Sequence, residues 1–204
     1  MLSKSAQMNK ETDMGKNFWN ERYRSNQTGW DLGQVSPPLK AYIDQLTDKN
    51  LRILIPGCGN SYEAEYLLDK GFTNITIIDI APELVKRLKS KFRSNQNIKI
   101  ILGDFFTHRA EYDLILEQTF FCALDPKLRK NYAEAMKGLL IKGGKLAGVL
   151  FSKEFETQGQ PFGGTETEYL ALFRDAFNFR AFESCYNSFS KRADSELFVI
   201  LEKK

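Results

Sequence analysis

The sequence predicts an α/β fold in which a mostly parallel sheet is covered by helices on both faces. Short, strongly apolar segments such as Leu51–Ile55 and Ile75–Ile80 recur along the chain, as is typical of strands buried on both sides. Segments with helical periodicity lie between them, and strand and helix alternate five times before a final pair of strands. This alternation favours a doubly wound sheet with right-handed crossovers.

The N-terminal part is distinguished by its aromatic residues. Residues 1–14 are polar and aperiodic and are expected to be disordered. Residues 15–47 are predicted to form a helical cover, in which Trp19 and Tyr23 share one face of a helix that ends before Ser25. Pro37-Pro38 begins a second amphipathic helix that extends to Leu46. Rings at helical spacing are also typical of a protein core, so this spacing alone assigns no function.

The first strand–helix–strand unit follows. The strand Leu51–Ile55 leads into Gly57-Cys58-Gly59, and Ser61 is predicted to cap a helix that runs through Lys70 and stops at Gly71. The second strand, Ile75–Ile80, contains Asp79 near its end.

The remaining elements are predicted from the same signals. Pro82 starts a helix, Ile98–Leu102 and Tyr112–Glu117 are strands, Asp125-Pro126 caps and starts another helix, and Gly143-Gly144 is a turn before the strand Lys145–Phe151. The glycine-rich loop Gln158–Gly164 is long enough to be a lid. A helix from Glu166 to about Phe177 and a hairpin of Arg180–Tyr186 and Glu196–Glu202 complete the chain.

Composition narrows the class of protein. A chain of 204 residues suits one domain, 1–204, and a net charge of +3 without a dense basic run argues against a nucleic-acid partner. Cys58, Cys122 and Cys185 form neither a disulfide framework nor a zinc site, which fits a reducing cytoplasm. No apolar run approaches the ~18 residues of a membrane span. We therefore predict a cytoplasmic protein that is a monomer and binds no metal.

The glycine turn and the carboxylate after the next strand indicate a nucleoside site. Glycine permits a close backbone approach to a ligand, and Asp79 could accept hydrogen bonds from ribose hydroxyls at the carboxyl edge of the sheet. The alternative is a plain tight turn with a helix-capping Asp. The dinucleotide fingerprint wants a third glycine where Tyr62 stands, and no phosphate-binding lysine loop is present. A nucleoside cofactor without a diphosphate, S-adenosylmethionine (SAM), fits these residues best.

Two further strand ends agree with this interpretation. Asp104 follows the third strand, where it could reach an adenine amino group, and Phe105 is available to contact the ring. Glu117-Gln118 ends the fourth strand, beside the expected position of methyl transfer.

Five motifs together resemble the thiopurine S-methyltransferase family, in particular its halide/thiol methyltransferase branch. They are Phe18-Trp19 with Tyr23, Trp30-Asp31 with Gly33, Ile55–Gly59 with Asp79-Ile80, Gly103–Phe106, and Phe120–Pro126. The resemblance covers roughly Lys16 to Ser184. It implies a Rossmann-like class I methyltransferase with a seven-stranded sheet, whose last strand inserts antiparallel beside the fifth.

The resemblance also implies roles for individual residues. Trp19, Tyr23 and Trp30 would contact the cofactor from the N-terminal cover, Gly57 would lie against its methionine portion, and Gln118 would lie near the sulfonium. Position 118 is Tyr in the halide branch and Arg in the thiopurine branch, so Gln118 leaves the acceptor open. Phe121 is expected near the transferred methyl group, although Phe120-Phe121 could equally be core packing. The choice of acceptor is expected to depend on Gln118, Phe121 and the loop around Pro161-Phe162.

The expected reaction is methyl transfer from SAM to a small soft nucleophile such as a thiol, bisulfide, a halide or a thiopurine-like sulfur. An anionic acceptor needs no general base, and none is evident, because the single histidine, His108, is expected at the surface. Two alternatives stay open at this point. The chain could methylate another small acceptor, or it could bind SAM without catalysis.

Overall fold

The computed structural model describes residues 14–156 and 159–204. The disorder expected for residues 1–14 therefore falls outside the described residues, except at Met14. Of the predicted lid, Gln158–Gly164, only Gln158 falls outside them. The strands are β1 Ile53–Pro56, β2 Ile75–Asp79, β3 Ile98–Leu102, β4 Tyr112–Gln118, β5 Leu140–Phe151, β6 Phe177–Ser184 and β7 Glu196–Lys203. The α-helices are α1 Lys16–Arg24, α2 Pro37–Ile43, α3 Tyr62–Asp69, α4 Pro82–Lys91, α5 Arg129–Leu139 and α6 Glu166–Phe173.

The seven strands form one sheet in the order β3-β2-β1-β4-β5-β7-β6. The pairs from β3 to β5 are parallel, whereas β7 pairs antiparallel with both β5 and β6. The predicted α/β class and the antiparallel insertion of the last strand beside the fifth are both confirmed. The strand order reverses between β1 and β4, and ligands of open α/β sheets bind at such a switch point.

Helices cover both faces of the sheet, because successive side chains of the central strands point to opposite sides. Ile53 and Ile55 of β1 belong to a buried cluster with residues of α2, α3 and α4. Leu54, between them, belongs to a second cluster with α5 and α6. This second cluster is rich in fully buried rings, which include those of Phe121, Tyr132, Tyr169 and Phe173.

The N-terminal cover is fixed to the rest of the molecule by hydrogen bonds from distant residues. In α4, Arg87 donates to the carbonyl of Tyr23 at 3.1 Å, and the amide of Glu83 donates to Asn20 at 2.8 Å. Arg192, in the turn before β7, donates to the carbonyl of Trp30 at 2.9 Å. The cover therefore lies across the carboxyl edge of the sheet.

Several local predictions were wrong in detail. Ser61 does not cap α3 with its side chain; it adopts a left-handed conformation (φ 58°), and its hydroxyl donates to the carbonyls of Cys58 and Gly59. Helix α6 ends at Phe173, because Phe177 starts β6 and is buried in the ring-rich cluster. Strand β5 begins at Leu140, so Gly143-Gly144 lies inside its span.

Two other expectations are modified. Asp125 accepts from the amide of Lys127 as predicted, but a single 3₁₀ turn, Pro126–Leu128, precedes α5. His108 is half-buried, with its Nε2 2.8 Å from the Tyr112 hydroxyl. Across the ranges that the structure describes, no helix has the length and apolar character needed to cross a membrane.

Candidate active site

A cleft of about 1090 Å³ opens at the carboxyl edge of β1, β2, β3 and β4, beneath the N-terminal cover. It is formed by residues that are far apart in the sequence but follow neighbouring strands, as the topology requires. All eight cofactor-binding residues predicted from the sequence line it: Trp19, Tyr23, Trp30, Gly57, Asp79, Asp104, Phe105 and Gln118.

The glycine turn after β1 is shaped for close approach. Gly57 and Gly59 both have positive φ, at 53° and 51°, a conformation that residues with a Cβ seldom adopt. At Gly57 space is also restricted, because a Cβ there would lie 2.2 Å from Cδ2 of Phe120. At Gly59 the nearest atom to such a Cβ would be the Tyr23 hydroxyl, at 3.8 Å. The turn thus packs directly on the segment that follows β4.

Asp79 is a buried carboxylate at the end of β2. Its Oδ1 accepts from the amide of Ala81 at 2.9 Å, and the side chain is 8% exposed. Burial raises the pKa of this carboxyl to about 6, although backbone N–H groups of Ala81, Gly59 and Ile80 oppose the increase. At neutral pH the group is therefore an ionised acceptor in a largely dry setting, which suits a ligand that donates from hydroxyl groups.

The ends of β3 and β4 supply the next part of the wall. Asp104 is exposed at the cleft and accepts from the amide of Phe106 at 2.9 Å. Phe105 is buried, with its ring edge-on to Phe120 at 5.2 Å between centroids. Gln118 is partly buried, and its Oε1 is a buried atom without a hydrogen-bond partner.

Three rings close the cleft on the side of the cover. Trp30 packs edge-on against Trp19 and Tyr23, at 5.5 and 5.7 Å between centroids. Burial, reinforced by the negative charge of Asp79, raises the pKa of Tyr23 far above the ordinary phenol value. These rings are therefore neutral faces, which can stabilise a cationic ligand without competing as nucleophiles.

One residue that was predicted to lie near the transferred methyl group is outside the cleft. Phe121 does not line the cleft; it is 1% exposed and packs on Tyr132 and Tyr169, at 4.9 and 5.5 Å between ring centroids. The neighbouring Phe120 lines the cleft instead. Pro161, of the loop assigned to acceptor choice, lines the cleft as predicted, whereas the amide of Phe162 donates to the Cys122 carbonyl at 2.7 Å.

Sequence reasoning missed Arg192 and gave no separate role to Glu117. Arg192 lines the cleft with a buried side chain, which also lies 3.4 Å from Glu196 and over the ring of Phe151. Glu117 is 0% exposed directly beneath the wall and binds the segment after β4. The carboxylate at position 117 was visible in the sequence as a charge inside an apolar strand, and burial of such a charge requires partners.

The part of the cleft that the structure describes shows neither a histidine base nor a metal-binding cluster. Among the residues that the structure describes, no group of His, Cys, Asp and Glu could hold a metal ion. His108 is not among the residues that line the cleft. Cys58 and Cys122 line it, but burial raises the pKa of both thiols, that of Cys122 to about 12. These thiols are therefore packing groups in the ground state.

A family comparison decides the identity. The model of the family described as thiopurine S-methyltransferase matches residues 14–202. The chain belongs to the thiopurine S-methyltransferase family. It is also similar to a protein called probable thiol methyltransferase 2 from Arabidopsis thaliana, with 31% identity over 156 residues, which covers 74% of this chain and 69% of the relative.

Other relatives and solved structures agree. A thiopurine S-methyltransferase from Vibrio cholerae is 29% identical over 175 residues, covering 76% of this chain and 79% of the relative. A Burkholderia thailandensis 1,6-didemethyltoxoflavin-N1-methyltransferase, solved with S-adenosylhomocysteine, has the same fold, with a TM-score of 0.72 at 17% identity and coverage of 93% and 87% of the two chains.

This family member is therefore a SAM-dependent methyltransferase. The cleft fits that cofactor: it combines a buried carboxylate at the end of β2, a turn that a Cβ at Gly57 would obstruct, and neutral rings suited to a sulfonium.

Proposed function

We propose that this methyltransferase acts on a small soft nucleophile, with a thiol, bisulfide or thiopurine-like sulfur preferred and halide as a further acceptor. The observation that carries the proposal is the character of the cleft wall. Rings and protonated thiols line it, and no histidine does so among the described residues. An acceptor that must lose a proton during attack would find no histidine base there, whereas an anion needs none.

We propose the following roles for the residues of the cofactor site. Asp79 accepts hydrogen bonds from the ribose hydroxyls, Gly57 lies against the methionine portion, and Asp104 and Phe105 bind the adenine. Trp19, Tyr23 and Trp30 cover the sulfonium end, with Gln118 beside it. Support comes from the shared cleft and from the order of the strands, which places these residues along one edge of the sheet.

When bound, SAM supplies an electrophilic methyl group on a sulfonium, which an acceptor takes by in-line displacement. The contribution of the protein is then alignment and the exclusion of water from the acceptor. Phe120 and Phe151 provide apolar surface for the second task, and both line the cleft. Arg192 also lines this wall, with its charge paired to Glu196.

A thiol acceptor needs little help to ionise. With an unperturbed pKa of ~8.5, it is already a few per cent ionised at neutral pH, so a thiolate is accessible without a base.

The proposed cellular setting is the cytoplasm. All three cysteines of the protein are free and buried, as suits a reducing compartment.

A panel of acceptors tests the proposal. Purified enzyme is incubated with methyl-labelled SAM and, separately, bisulfide, an aryl thiol, a thiopurine, thiocyanate, iodide, a phenol and an amine. Methylated product from the sulfur acceptors, with the phenol and amine unreacted, supports the proposal. Preferential methylation of oxygen or nitrogen contradicts it, as does tight SAM binding without turnover on any acceptor. The Asp79→Asn variant, with its carboxylate removed from the cofactor site, serves as the negative control.

A further inference from the structure

The segment after β4 has an unusual conformation for its sequence. Thr119 adopts φ 59°, in the left-handed region, where a β-branched residue is a genuine outlier. Such strain persists only where the surrounding structure enforces it, and it is concentrated at functional sites. The residues on either side of Thr119, Gln118 and Phe120, both line the cleft.

The constraint comes from Glu117. Its Oε1 accepts from the amides of Phe120 and Phe121, at 2.8 and 2.9 Å. Its Oε2 accepts from the hydroxyl of Tyr132 in α5, at 2.6 Å. The side chain is 0% exposed and is not among the cleft-lining residues, so it acts on a ligand only through the segment that it holds. Burial raises the pKa of this carboxyl to about 7, although its hydrogen bonds with Tyr132 and with the amides of Phe121 and Phe120 oppose the increase.

The segment in turn fixes the ring that meets the glycine turn. Phe120 lies against Gly57 so closely that a Cβ would not fit between them, and its ring also packs on Phe105. A shift of the segment would therefore move the wall at β1, β3 and β4 together. Strand β5 also packs closely on Glu117, because a Cβ at Gly148 would lie 2.5 Å from the Cβ of Glu117.

We propose that Glu117 is a positioning residue for methyl transfer, whose carboxylate holds Gln118–Phe121 in the conformation that places Gln118 and Phe120 beside the reacting atoms. This inference rests on the proposed function only for the choice of acceptor in its assay. Removing the carboxylate releases the wall while leaving every group that touches cofactor or acceptor chemically unchanged. The expected consequence is a loss of alignment and therefore of the transfer rate, with a smaller loss of cofactor affinity.

Three variants separate positioning from general stability. Glu117→Met keeps the approximate volume but removes both acceptor oxygens. Glu117→Gln keeps an oxygen for the two amides, without the charge, and is the conservative rescue. Tyr132→Phe removes the hydrogen bond at Oε2 but leaves the two loop amides anchored at Oε1, and is the matched control. The readouts are the single-turnover rate at saturating SAM and acceptor, the acceptor KM, and the calorimetric affinity for S-adenosylhomocysteine.

From fastest to slowest, the expected order of transfer rates is wild type, Tyr132→Phe, Glu117→Gln and Glu117→Met. Glu117→Met should lose about 100-fold, the effect of a misplacement of about 1 Å, while Tyr132→Phe stays within about threefold. Rates of Glu117→Met and Tyr132→Phe that are equal would overturn the proposal. If Glu117→Met does not fold, Glu117→Gln decides. Its transfer rate should then be at least about fivefold below that of Tyr132→Phe, since neutral acceptors hold amides less strongly. A smaller difference would overturn the proposal.

The assay distinguishes this inference from the proposed function. The transfer rate is measured with whichever acceptor the wild-type enzyme methylates, so a wrong acceptor class leaves the comparison of variants intact. Conversely, a wild-type preference for sulfur together with unchanged rates in the Glu117 variants would refute the positioning role alone.

Discussion

The ring of Phe120 occupies the space that a side chain at Gly57 would fill, with Cδ2 only 2.2 Å from the position of a Cβ. This contact joins the turn after β1 to the segment after β4 across the strand-order switch. The turn thus meets two separate demands, a left-handed backbone and close packing. Substitutions can separate the two because Gly59 shares only the first.

Gly57→Ala is expected to weaken SAM binding by at least tenfold, or about 1.4 kcal/mol, because overpacking typically costs ~1–3 kcal/mol in addition to backbone strain. Gly59→Ala is the matched control: its φ is also positive, but its Cβ has room. Calorimetric titration with SAM measures both. Equal losses of affinity in the two variants would show that backbone strain alone matters and that the contact with Phe120 does not.

Asp79→Asn is expected to abolish detectable SAM binding at neutral pH while leaving the fold intact, because an amide oxygen is a poorer acceptor for ribose hydroxyls than a carboxylate. The wild-type affinity should also fall as the pH drops below about 6, where the carboxyl becomes protonated. Calorimetric titration at several pH values tests both statements. An affinity in the variant that matches wild type would refute the assignment of Asp79 to the ribose.

The same carboxyl makes the stability of the ligand-free protein depend on pH. Its pKa is higher in the folded chain, at about 6, than its ordinary value of 3.8, so the folded state binds the proton more tightly. The stability that this provides is present below pH 3.8 and is lost as the pH rises through 6. Relative to Asp79→Asn, the wild-type free energy of unfolding should therefore decrease by about 3 kcal/mol across this interval and then stay constant. Denaturant titrations at pH 4 and pH 8 measure the change, and a difference that is independent of pH would contradict the burial of the charge.

Phe120 and Phe121 should respond differently to truncation despite their adjacency. Phe121→Ala removes a fully buried ring and should cost ~3–5 kcal/mol of stability. Phe120→Ala should instead lower the transfer rate, since this ring lines the cleft and Phe121 does not. Thermal unfolding and steady-state kinetics on both variants separate the two effects. The result against this arrangement would be a larger kinetic defect in the folded fraction of Phe121→Ala than in Phe120→Ala.

Trp30 is expected to report the binding of the cofactor. The chain contains two tryptophans, so Trp19→Phe leaves Trp30 as the only indole. Because Trp30 packs on Tyr23 and its carbonyl accepts from Arg192, it is held in the cover rather than on a free loop. Its fluorescence should change on addition of SAM and saturate at the calorimetric Kd. Emission that is insensitive to saturating SAM would place Trp30 outside the cofactor site.

Much of this arrangement could be predicted from the sequence, because parallel strands bring their carboxyl ends to one edge. Gly57, Asp79, Asp104 and Gln118 each follow or end a recognisable strand, and all line the same cleft. The choice between Phe120 and Phe121 could not be made in this way. Neither residue lies in a strand or a long helix, so no periodicity indicates which ring faces the cleft. The left-handed Thr119 between β4 and this turn decides the orientation.

Contacts between residues far apart in the chain could not be predicted, because the local sequence does not indicate them. Arg192 reaches the carbonyl of Trp30 across 162 residues, and its neighbours Lys191 and Ala193 carry no signal of that contact. The failure at Ser61 has a local cause: a serine before a helix is usually a cap, but here the turn uses its left-handed conformation and directs the hydroxyl back to Cys58.

The acceptor remains the central claim, and a competition experiment tests it most directly. Enzyme with methyl-labelled SAM is offered bisulfide, a phenol and an amine together at equal concentration, and the methylated products are separated and counted. The account predicts that the label is found on sulfur, with a large excess over oxygen and nitrogen, because the cleft offers apolar walls and no histidine base. Label found mainly on oxygen or nitrogen would contradict it.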